Sequence, residues 1–141
     1  MECPRSNKSM CDVMLHDEYY FYFSAENTFC LDYVTEKVFT ALSNDVIPIV
    51  YGGADYNRFL PPHSYLDARA QSPEELAASI AELIKSPKMY RSYFGWKSFY
   101  KYNRANRASQ ICAVCEALNN DQQKVYQQFR KWWHPDFEKR C

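Results

Sequence analysis

The sequence predicts an α/β domain in which a partial parallel sheet is flanked by helices. Residues 19–24 (YYFYFS) have the length and aromatic content of a buried strand. Asp32 is a good N-cap for a helix over about 33–43, where apolar side chains recur at helical spacing. Residues 46–51 (VIPIVY) then predict a second buried strand, in which the proline is awkward for a central position. Strand, helix and strand in this order indicate a right-handed parallel crossover.

The rest of the chain contains more helix than strand. A helical turn over 55–60 precedes a brief third strand at 64–67. Ser72 and Pro73 are the expected N-cap and first residue of a helix whose buried stripe is Leu76, Ile80, Leu83 and Ile84. Further helices are expected from Pro87 through Trp96, over 107–118 and over 121–133, and irregular structure over 1–16.

The predicted sheet is too small to be complete. Parallel α/β sheets normally have five or more strands that are covered on both faces. The strand at 19–24 would have an unpaired hydrophobic edge if residues 1–16 were all that preceded it, and folded proteins avoid such edges. We therefore expect N-terminal sequence to be missing from this segment.

The composition excludes several classes of partner. The 141 residues include 17 basic and 17 acidic side chains, with no block of lysine or arginine. The chain therefore has no electrostatic footprint for nucleic acid or for an anionic membrane. No apolar stretch approaches the ~20 residues that span a bilayer, and the first residues lack the pattern of a signal peptide. A specific small ligand is the expected partner.

Six cysteines and a glycosylation sequon favour an oxidising secretory compartment over the cytosol. The sequon makes Asn7 a candidate for N-glycosylation, although such tripeptides also occur by chance. Cys3 and Cys11 are close enough in the sequence for a local disulfide. Cys112 and Cys115 could instead bind zinc, but no second pair of ligands completes a tetrahedral site.

The candidate ligand site lies where the first strand ends and the next helix begins, because open α/β sheets bind ligands at the carboxyl ends of their strands. In the predicted helix, Tyr33, Glu36, Lys37 and Thr40 share one polar face. Lys37 can reach an anion at the helix N-terminus, and Glu36 can accept hydrogen bonds from sugar hydroxyls. A nucleotide diphosphate satisfies both, whereas the alternative interpretation is an ordinary solvated helix surface.

These residues carry a family resemblance. Residues 21–28 (FYFSAENT) followed by 32–37 (DYVTEK) resemble the FYLxFENS/T and DYxTEK signature of the α1,3-fucosyltransferases, glycosyltransferase family 10. Residues 46–52 and 56–66 resemble the VPVVxG and YxxFxPxxSFI continuation of that family. Later landmarks are 72–77, 90–96 and the pair of cysteines at 112 and 115, so the likeness covers about residues 3–118.

The resemblance implies a GT-B fold with an N-terminal domain that binds the acceptor and a C-terminal Rossmann-like domain that holds GDP-fucose. Residues 1–118 would be the donor-binding domain, and 119–141 a helical tail packed on it. By this likeness Lys37 contacts the diphosphate and Glu36 the ribose or fucose hydroxyls. Asn27 and Tyr33 would contact the phosphate and sugar region, and Glu26 is a further candidate.

The implied reaction inverts the configuration at the anomeric carbon of fucose. A carboxylate base removes a proton from the acceptor hydroxyl of a GlcNAc residue, which attacks the anomeric carbon as GDP leaves. The base and a diphosphate-binding arginine belong to the N-terminal domain in this family and have no matching position here. No Asp-x-Asp motif occurs, so we expect Lys37 and the helix N-terminus, and no metal ion, to meet the charge of the leaving group.

The resemblance also implies a location and a cysteine pairing. The complete protein would be a Golgi membrane glycoprotein, with this segment on the lumenal side and its anchor before residue 1. The CxxC pair of the family bridges to cysteines of the other half, so the partners of Cys112 and Cys115 would be absent here. Two alternatives remain, namely a non-catalytic nucleotide-sugar binding module and a secreted, disulfide-linked interaction domain.

Overall fold

The computed structural model describes residues 8–101, 107–120 and 125–130. They fall into two compact units, which meet in the sequence between Tyr100 and Lys101. The first unit is an α/β fold that contains a three-stranded parallel sheet, and the second contains the helix over Arg107–Asn119. In chain order the helices and strands are α1 (Lys8–Glu18), β1 (Phe21–Ala25), α2 (Glu36–Ser43), β2 (Ile47–Tyr51), β3 (Leu66–Asp67), α3 (Pro73–Lys85), α4 (Pro87–Ser92) and α5 (Arg107–Asn119).

The sheet has the strand order β1-β2-β3, and both pairs are parallel. The β1–β2 pairing begins with Phe21 opposite Ile47 and ends with Ala25 opposite Tyr51. The predicted parallel crossover and the predicted α/β class, a partial parallel sheet flanked by helices, are confirmed. The helix predicted over 121–133 is wrong at 125–128, which are not helical. The packing of the tail at 119–141 on the same domain stays a prediction.

Pro48 is inside β2, the central strand, although proline has no N–H to donate to a neighbouring strand. The amide of Ile47 donates to the carbonyl of Tyr20, at 3.1 Å, on the β1 side. Because hydrogen-bonding groups alternate along a strand, the nitrogen of Pro48 faces the β3 side. The ladder to β3 starts only at Ile49, opposite Leu66. The missing N–H of proline therefore falls just before that ladder and removes none of its bonds.

Two apolar layers cover the central strand, one on each face. Val50 faces the layer that contains α2, whereas Ile47 and Ile49 face the layer that contains α3 and α4. Burial on both faces explains why the sequence of β2 is continuously apolar rather than alternating. The buried members of the first layer are Val38, Leu42, Val50, Tyr56, Leu60 and Trp96, and those of the second are Ile47, Ile49, Leu66 and Leu83.

The prediction of irregular structure over 1–16 is wrong for its described part, because α1 begins at Lys8. The segment contains neither glycine nor proline, so nothing in it interrupts a helix. The carboxylate of Asp12 accepts a hydrogen bond from the Asn44 side chain, at 3.2 Å. His16 Nδ1 lies 3.0 Å from the carbonyl oxygen of Asn44. Tertiary contacts with the end of α2 thus support a helix whose apolar pattern is weak.

The helices of the second half follow the prediction in part. Ser72 caps α3 through a capping box with Glu75, and Pro73 is its first residue. Leu83 is buried, but Ile84 is 49% exposed, so its place in the buried stripe is wrong. The helix predicted through Trp96 ends at Ser92 and is followed by a 3₁₀ turn over Gly95–Ser98. Glycine disfavours a continuous helix at this point.

The cysteines occupy two different states. Cys11 and Cys30 are each disulfide-bonded, and a disulfide at Cys30 was not predicted. Cys112 and Cys115 are free and exposed thiols. Cys3 and Asn7 lie outside the described residues, so the local Cys3–Cys11 bridge and the glycosylation site stay predictions. No helix of the described residues is long and apolar enough to cross a membrane.

Gly53 generates a stability prediction, because a Cβ added there would lie 2.2 Å from the backbone oxygen of Phe29. We expect Gly53→Ala to lower the free energy of unfolding by about 2 kcal/mol, since backbone must move to relieve the clash. Gly95→Ala is the matched control, because a Cβ there meets nothing within 4 Å. Urea unfolding of both variants measures the difference, and equal effects would contradict the assigned contact.

Two tyrosines generate a pH prediction. Burial, with the nearby charge of Glu26, raises the pKa of Tyr56 to about 12, and burial raises the pKa of Tyr90 to about 12. A raised folded-state pKa means that stability is complete below the unfolded value of 10 and falls as the pH approaches 12. We expect alkaline unfolding in this window. Tyr56→Phe should flatten the fall in a series of urea midpoints, and an unchanged slope would count against the burial.

Candidate functional site

The candidate site is a cluster formed by Glu26, Asn27, Thr35 and Lys37, which we call the Glu26 cluster. Glu26 directly follows β1, and its amide donates to the carbonyl of Tyr51 at the end of β2, at 2.9 Å. This bond extends the ladder by one residue and fixes the backbone of Glu26 between the carboxyl ends of both strands. The Glu26 side chain is only 1% exposed, so its charge must be met within the protein.

Three donors meet that charge. The amide of Thr35 donates to Glu26 Oε1 at 2.8 Å, and the Thr35 hydroxyl donates to Oε2 at 2.7 Å. Lys37 Nζ lies 3.3 Å from the same Oε2 and also donates to Asn27 Oδ1 at 2.8 Å. Both carboxylate oxygens are therefore occupied, and the ammonium group is held by two acceptors.

Glu26 also decides where α2 begins. The predicted N-cap was Asp32, but the observed N-cap is Thr35, which makes no side-chain bond to the helix. The Thr35 hydroxyl is engaged by Glu26 instead, and the carboxylate lies before the first turn, where the helix dipole favours negative charge. Asp32 has a φ of 60° and pairs with Arg58 at 2.7 Å. A residue in this left-handed conformation does not start a helix at the next position.

The later start of α2 changes the predicted helical face. Tyr33 precedes the helix, so its placement on one helical face with Thr40 is wrong. Its amide donates to the carbonyl of Cys30 at 3.4 Å, and its side chain is half-buried. Glu36 is the first residue of α2 and is exposed. Lys37 follows it, and its side chain is 26% exposed.

This arrangement offers one cation and one anion to a ligand. An ammonium group has three N–H donors, and two of those on Lys37 are directed to Glu26 and Asn27. The third is available to an oxygen of an anion at the N-terminus of α2, because the first backbone amides of a helix have no partner within the helix. The exposed carboxylate of Glu36 can accept hydrogen bonds from hydroxyl groups.

Gly52 and Tyr56 lie next to the Glu26 side chain. A Cβ on Gly52 would lie 3.1 Å from Glu26 Cγ and 2.3 Å from Tyr56 Oη. The absence of a side chain therefore lets the Glu26 side chain fold back against the end of β2. Tyr56 Oη is buried and has no hydrogen-bond partner among the residues that the structure describes, which agrees with the raised pKa of this phenol.

Sequence reasoning missed several residues at this edge of the sheet. Thr35 had a detectable signal, because threonine is a common N-cap residue. Arg69 follows β3 and donates to the carbonyl of Gly52 at 2.9 Å, and its guanidinium lies 5.3 Å from the centre of the Phe29 ring. The rule that ligands meet the carboxyl ends of strands could have pointed to Arg69. Among the described residues, no three His, Cys, Asp or Glu side chains are grouped to hold a metal ion.

Comparison with known proteins gives one family. Residues 2–132 match the model of the glycosyltransferase family 10 (fucosyltransferase) C-terminal region. The chain is 43% identical over 138 residues to Alpha-(1,3)-fucosyltransferase C of Drosophila melanogaster, covering 94% of this chain. It is 36% identical to Glycoprotein 3-alpha-L-fucosyltransferase A of the same species, again over 94% of this chain.

A primate relative extends the comparison. The chain is 32% identical over 136 residues to 4-galactosyl-N-acetylglucosaminide 3-alpha-L-fucosyltransferase FUT6 of Gorilla gorilla gorilla. This alignment covers 92% of the present chain. The alignments cover 32%, 27% and 38% of the three relatives. The chain therefore spans about a third of the length of these relatives.

The burial of Glu26 generates a prediction for the Glu26 cluster. In Glu26→Gln an amide group replaces one carboxylate oxygen and faces a donor, either the Thr35 hydroxyl or Lys37. We expect a loss of roughly 1–3 kcal/mol in the free energy of unfolding, since a buried group loses its partner. Glu36→Gln is the control and should stay within about 0.5 kcal/mol of the parent, because Glu36 is exposed. Equal losses in urea unfolding would refute the special role of Glu26.

Proposed function

The chain belongs to glycosyltransferase family 10, the fucosyltransferases, and on this premise we propose that it supplies the donor-binding half of an inverting α1,3-fucosyltransferase. The proposed donor is GDP-fucose, and the proposed acceptor is a GlcNAc residue of a glycoprotein glycan. The proposed architecture of the complete enzyme is GT-B, with this α/β unit as part of its Rossmann-like donor domain. Support for the linkage comes from the names of the relatives, which are α1,3- or 3-α-L-fucosyltransferases.

One observation carries the assignment of the donor site. The ammonium group of Lys37 is held by a buried carboxylate and an amide oxygen at the N-terminus of α2, with one donor left over. A lysine fixed in this way loses little side-chain freedom when it binds a phosphate oxygen. We assign the diphosphate of GDP-fucose to Lys37 and to the free amides of the first turn.

The other site residues follow from their exposure. The exposed carboxylate of Glu36 accepts hydrogen bonds from ribose or fucose hydroxyls, and we assign the half-buried Tyr33, in the segment before α2, to the phosphate and sugar region. The Asn27 side chain accepts a hydrogen bond from Lys37, so we assign it to the phosphate region as well. Glu26 is nearly inaccessible, so we assign it the role of a positioning residue that acts on the donor through Lys37.

The proposed reaction is a single displacement. The acceptor oxygen forms a bond to the anomeric carbon of fucose as the bond from that carbon to the phosphate oxygen breaks, and a base outside this segment takes the hydroxyl proton. Negative charge develops on the departing GDP. Lys37 and the N-terminus of α2 stabilise this charge without a metal ion. Disulfide-bonded Cys11 and Cys30 support a lumenal, Golgi location for the complete enzyme.

The test uses a chimaeric enzyme in which this chain replaces the matching segment of the Drosophila melanogaster Alpha-(1,3)-fucosyltransferase C. We expect Lys37→Ala to lower kcat/KM for GDP-fucose by roughly 100-fold or more, because a phosphate-binding charge is lost as the leaving group forms. Lys97→Ala is the matched control, since Lys97 also pairs with a carboxylate, that of Asp45 beyond the other end of α2. Its transfer rate should stay near the parent value.

Other outcomes separate the alternatives. A chimaeric enzyme that binds GDP but transfers no fucose would indicate a non-catalytic nucleotide-sugar module. Absence of GDP binding, with Lys37→Ala behaving as the parent does, would indicate an interaction domain. Full transfer by Lys37→Ala would refute the site assignment.

A further inference from the structure

We propose that Arg69 binds the diphosphate of the nucleotide donor as a second cation beside Lys37. The inference rests on the proposed function, because it takes a nucleotide diphosphate sugar as the ligand of the Glu26 cluster. Arg69 belongs to this chain and is therefore distinct from the arginine that the family resemblance places in the N-terminal domain. It contributes a charge that the Glu26 cluster does not supply.

The charges of the Glu26 cluster leave a diphosphate short of positive partners. The charge of Lys37 is already offset by the buried carboxylate of Glu26, 3.3 Å from its Nζ. Glu36 adds an exposed negative charge at the start of α2. Each phosphate group of the donor carries a negative charge, and the departing GDP gains a further one. Another cation close to Lys37 therefore stabilises both the bound donor and the leaving group.

Arg69 lies at the same edge of the sheet as the Glu26 cluster. It follows β3, and its Nη1 donates to the carbonyl of Gly52, just beyond the end of β2, at 2.9 Å. Gly52 is also next to Glu26, because a Cβ added to it would lie 3.1 Å from Glu26 Cγ. Burial raises the pKa of Tyr56 most, Glu26 raises it further and Arg69 lowers it. Both charges therefore lie near the same phenol, and Glu26 and Arg69 are neighbours across the end of β2.

The loop after β1 connects the two cations. The side chain of Asn27 accepts a hydrogen bond from Lys37 at 2.8 Å. Two residues further on, the ring of Phe29 lies 5.3 Å from the guanidinium carbon of Arg69, which is a cation–π contact. The backbone of Phe29 packs closely on Gly53, where a Cβ would lie 2.2 Å from the Phe29 carbonyl oxygen. One loop thus positions both cations before the ligand binds.

The guanidinium of Arg69 is held in place and can still bind an anion. Among the described residues, no carboxylate lies within ion-pair distance of it, and no acceptor binds its Nε or Nη2. Arg58, by contrast, is already paired with Asp32 at 2.7 Å. Arg69 is exposed, and the edge formed by Nε and Nη2 has the geometry that binds two oxygens of one phosphate.

The test measures the calorimetric binding of GDP, pyrophosphate and guanosine to the chimaeric enzyme and to its Arg69→Met variant. Methionine keeps much of the length of the side chain and removes the charge. We expect GDP and pyrophosphate to bind about 10-fold more weakly, by similar factors, because a charge-assisted contact to phosphate is lost. Guanosine, which has no phosphate, should bind as it does to the parent. Arg91→Met is the control for loss of an exposed arginine, here in α4, and should leave the affinities for all three probes unchanged.

The three probes also separate the ways in which the proposal can fail. Parent affinity for GDP in Arg69→Met would overturn this inference and leave the assignment of Lys37 intact. Weaker guanosine binding with unchanged pyrophosphate binding would assign Arg69 to an edge of the base, which a guanidinium can also recognise, and would overturn it too. A parent enzyme that bound neither GDP nor pyrophosphate would remove the proposed function together with this inference.

Arg69→Lys separates phosphate binding from structural support of Gly52. Lysine keeps the charge and a donor but lacks the planar fork, so we expect it to recover part of the lost pyrophosphate affinity. The melting temperature of Arg69→Met should stay within ~2 °C of the parent, since Arg69 is exposed. A fall of ~5 °C or more, with no recovery of pyrophosphate binding in Arg69→Lys, would indicate a merely structural role and contradict the proposal.

Discussion

The carboxylate of Glu26 joins three parts of the molecule that carry the candidate site. Its backbone ends the β1–β2 ladder, its side chain binds the amide and hydroxyl of Thr35, and its second oxygen holds Lys37. A buried carboxylate is costly unless donors surround it. The arrangement is therefore cooperative, because strand end, helix start and lysine are each placed by the same charge.

This constraint explains the start of α2. The amide and the hydroxyl of Thr35 both bind Glu26, and the helix begins at the next residue. The segment before α2 turns at Leu31 and Asp32, with Asp32 in the left-handed region, and is extended at Thr35. Gly53 lets the backbone of Phe29 approach closely, and the Asp32–Arg58 pair closes the loop on its outer side. The ligand end of the sheet is thus built largely from loop residues whose conformation is set by tertiary contacts.

The free edge of β1 also affects how firmly Glu26 is held. The strand that precedes Glu26 is at the edge of the three-stranded sheet that the described residues form. Completing the sheet would fix β1 from both sides. It would also hold the backbone of Glu26, and through it Lys37, more rigidly at the site.

The order of strands and helices was predictable from the sequence, because apolar periodicity and capping residues are local signals. The strand β2, the capped start of α3 and the neighbourhood of Asn27 and Lys37 all follow from such signals. Only the tertiary structure decided that Glu26 is buried, that α2 begins after Thr35, and that residues 8–18 form a helix. These features depend on contacts between residues distant in sequence, such as Asn44 with Asp12 and Glu26 with Lys37. A local pattern cannot reveal which of its polar groups will be desolvated, and desolvation of one carboxylate determined the geometry of this site.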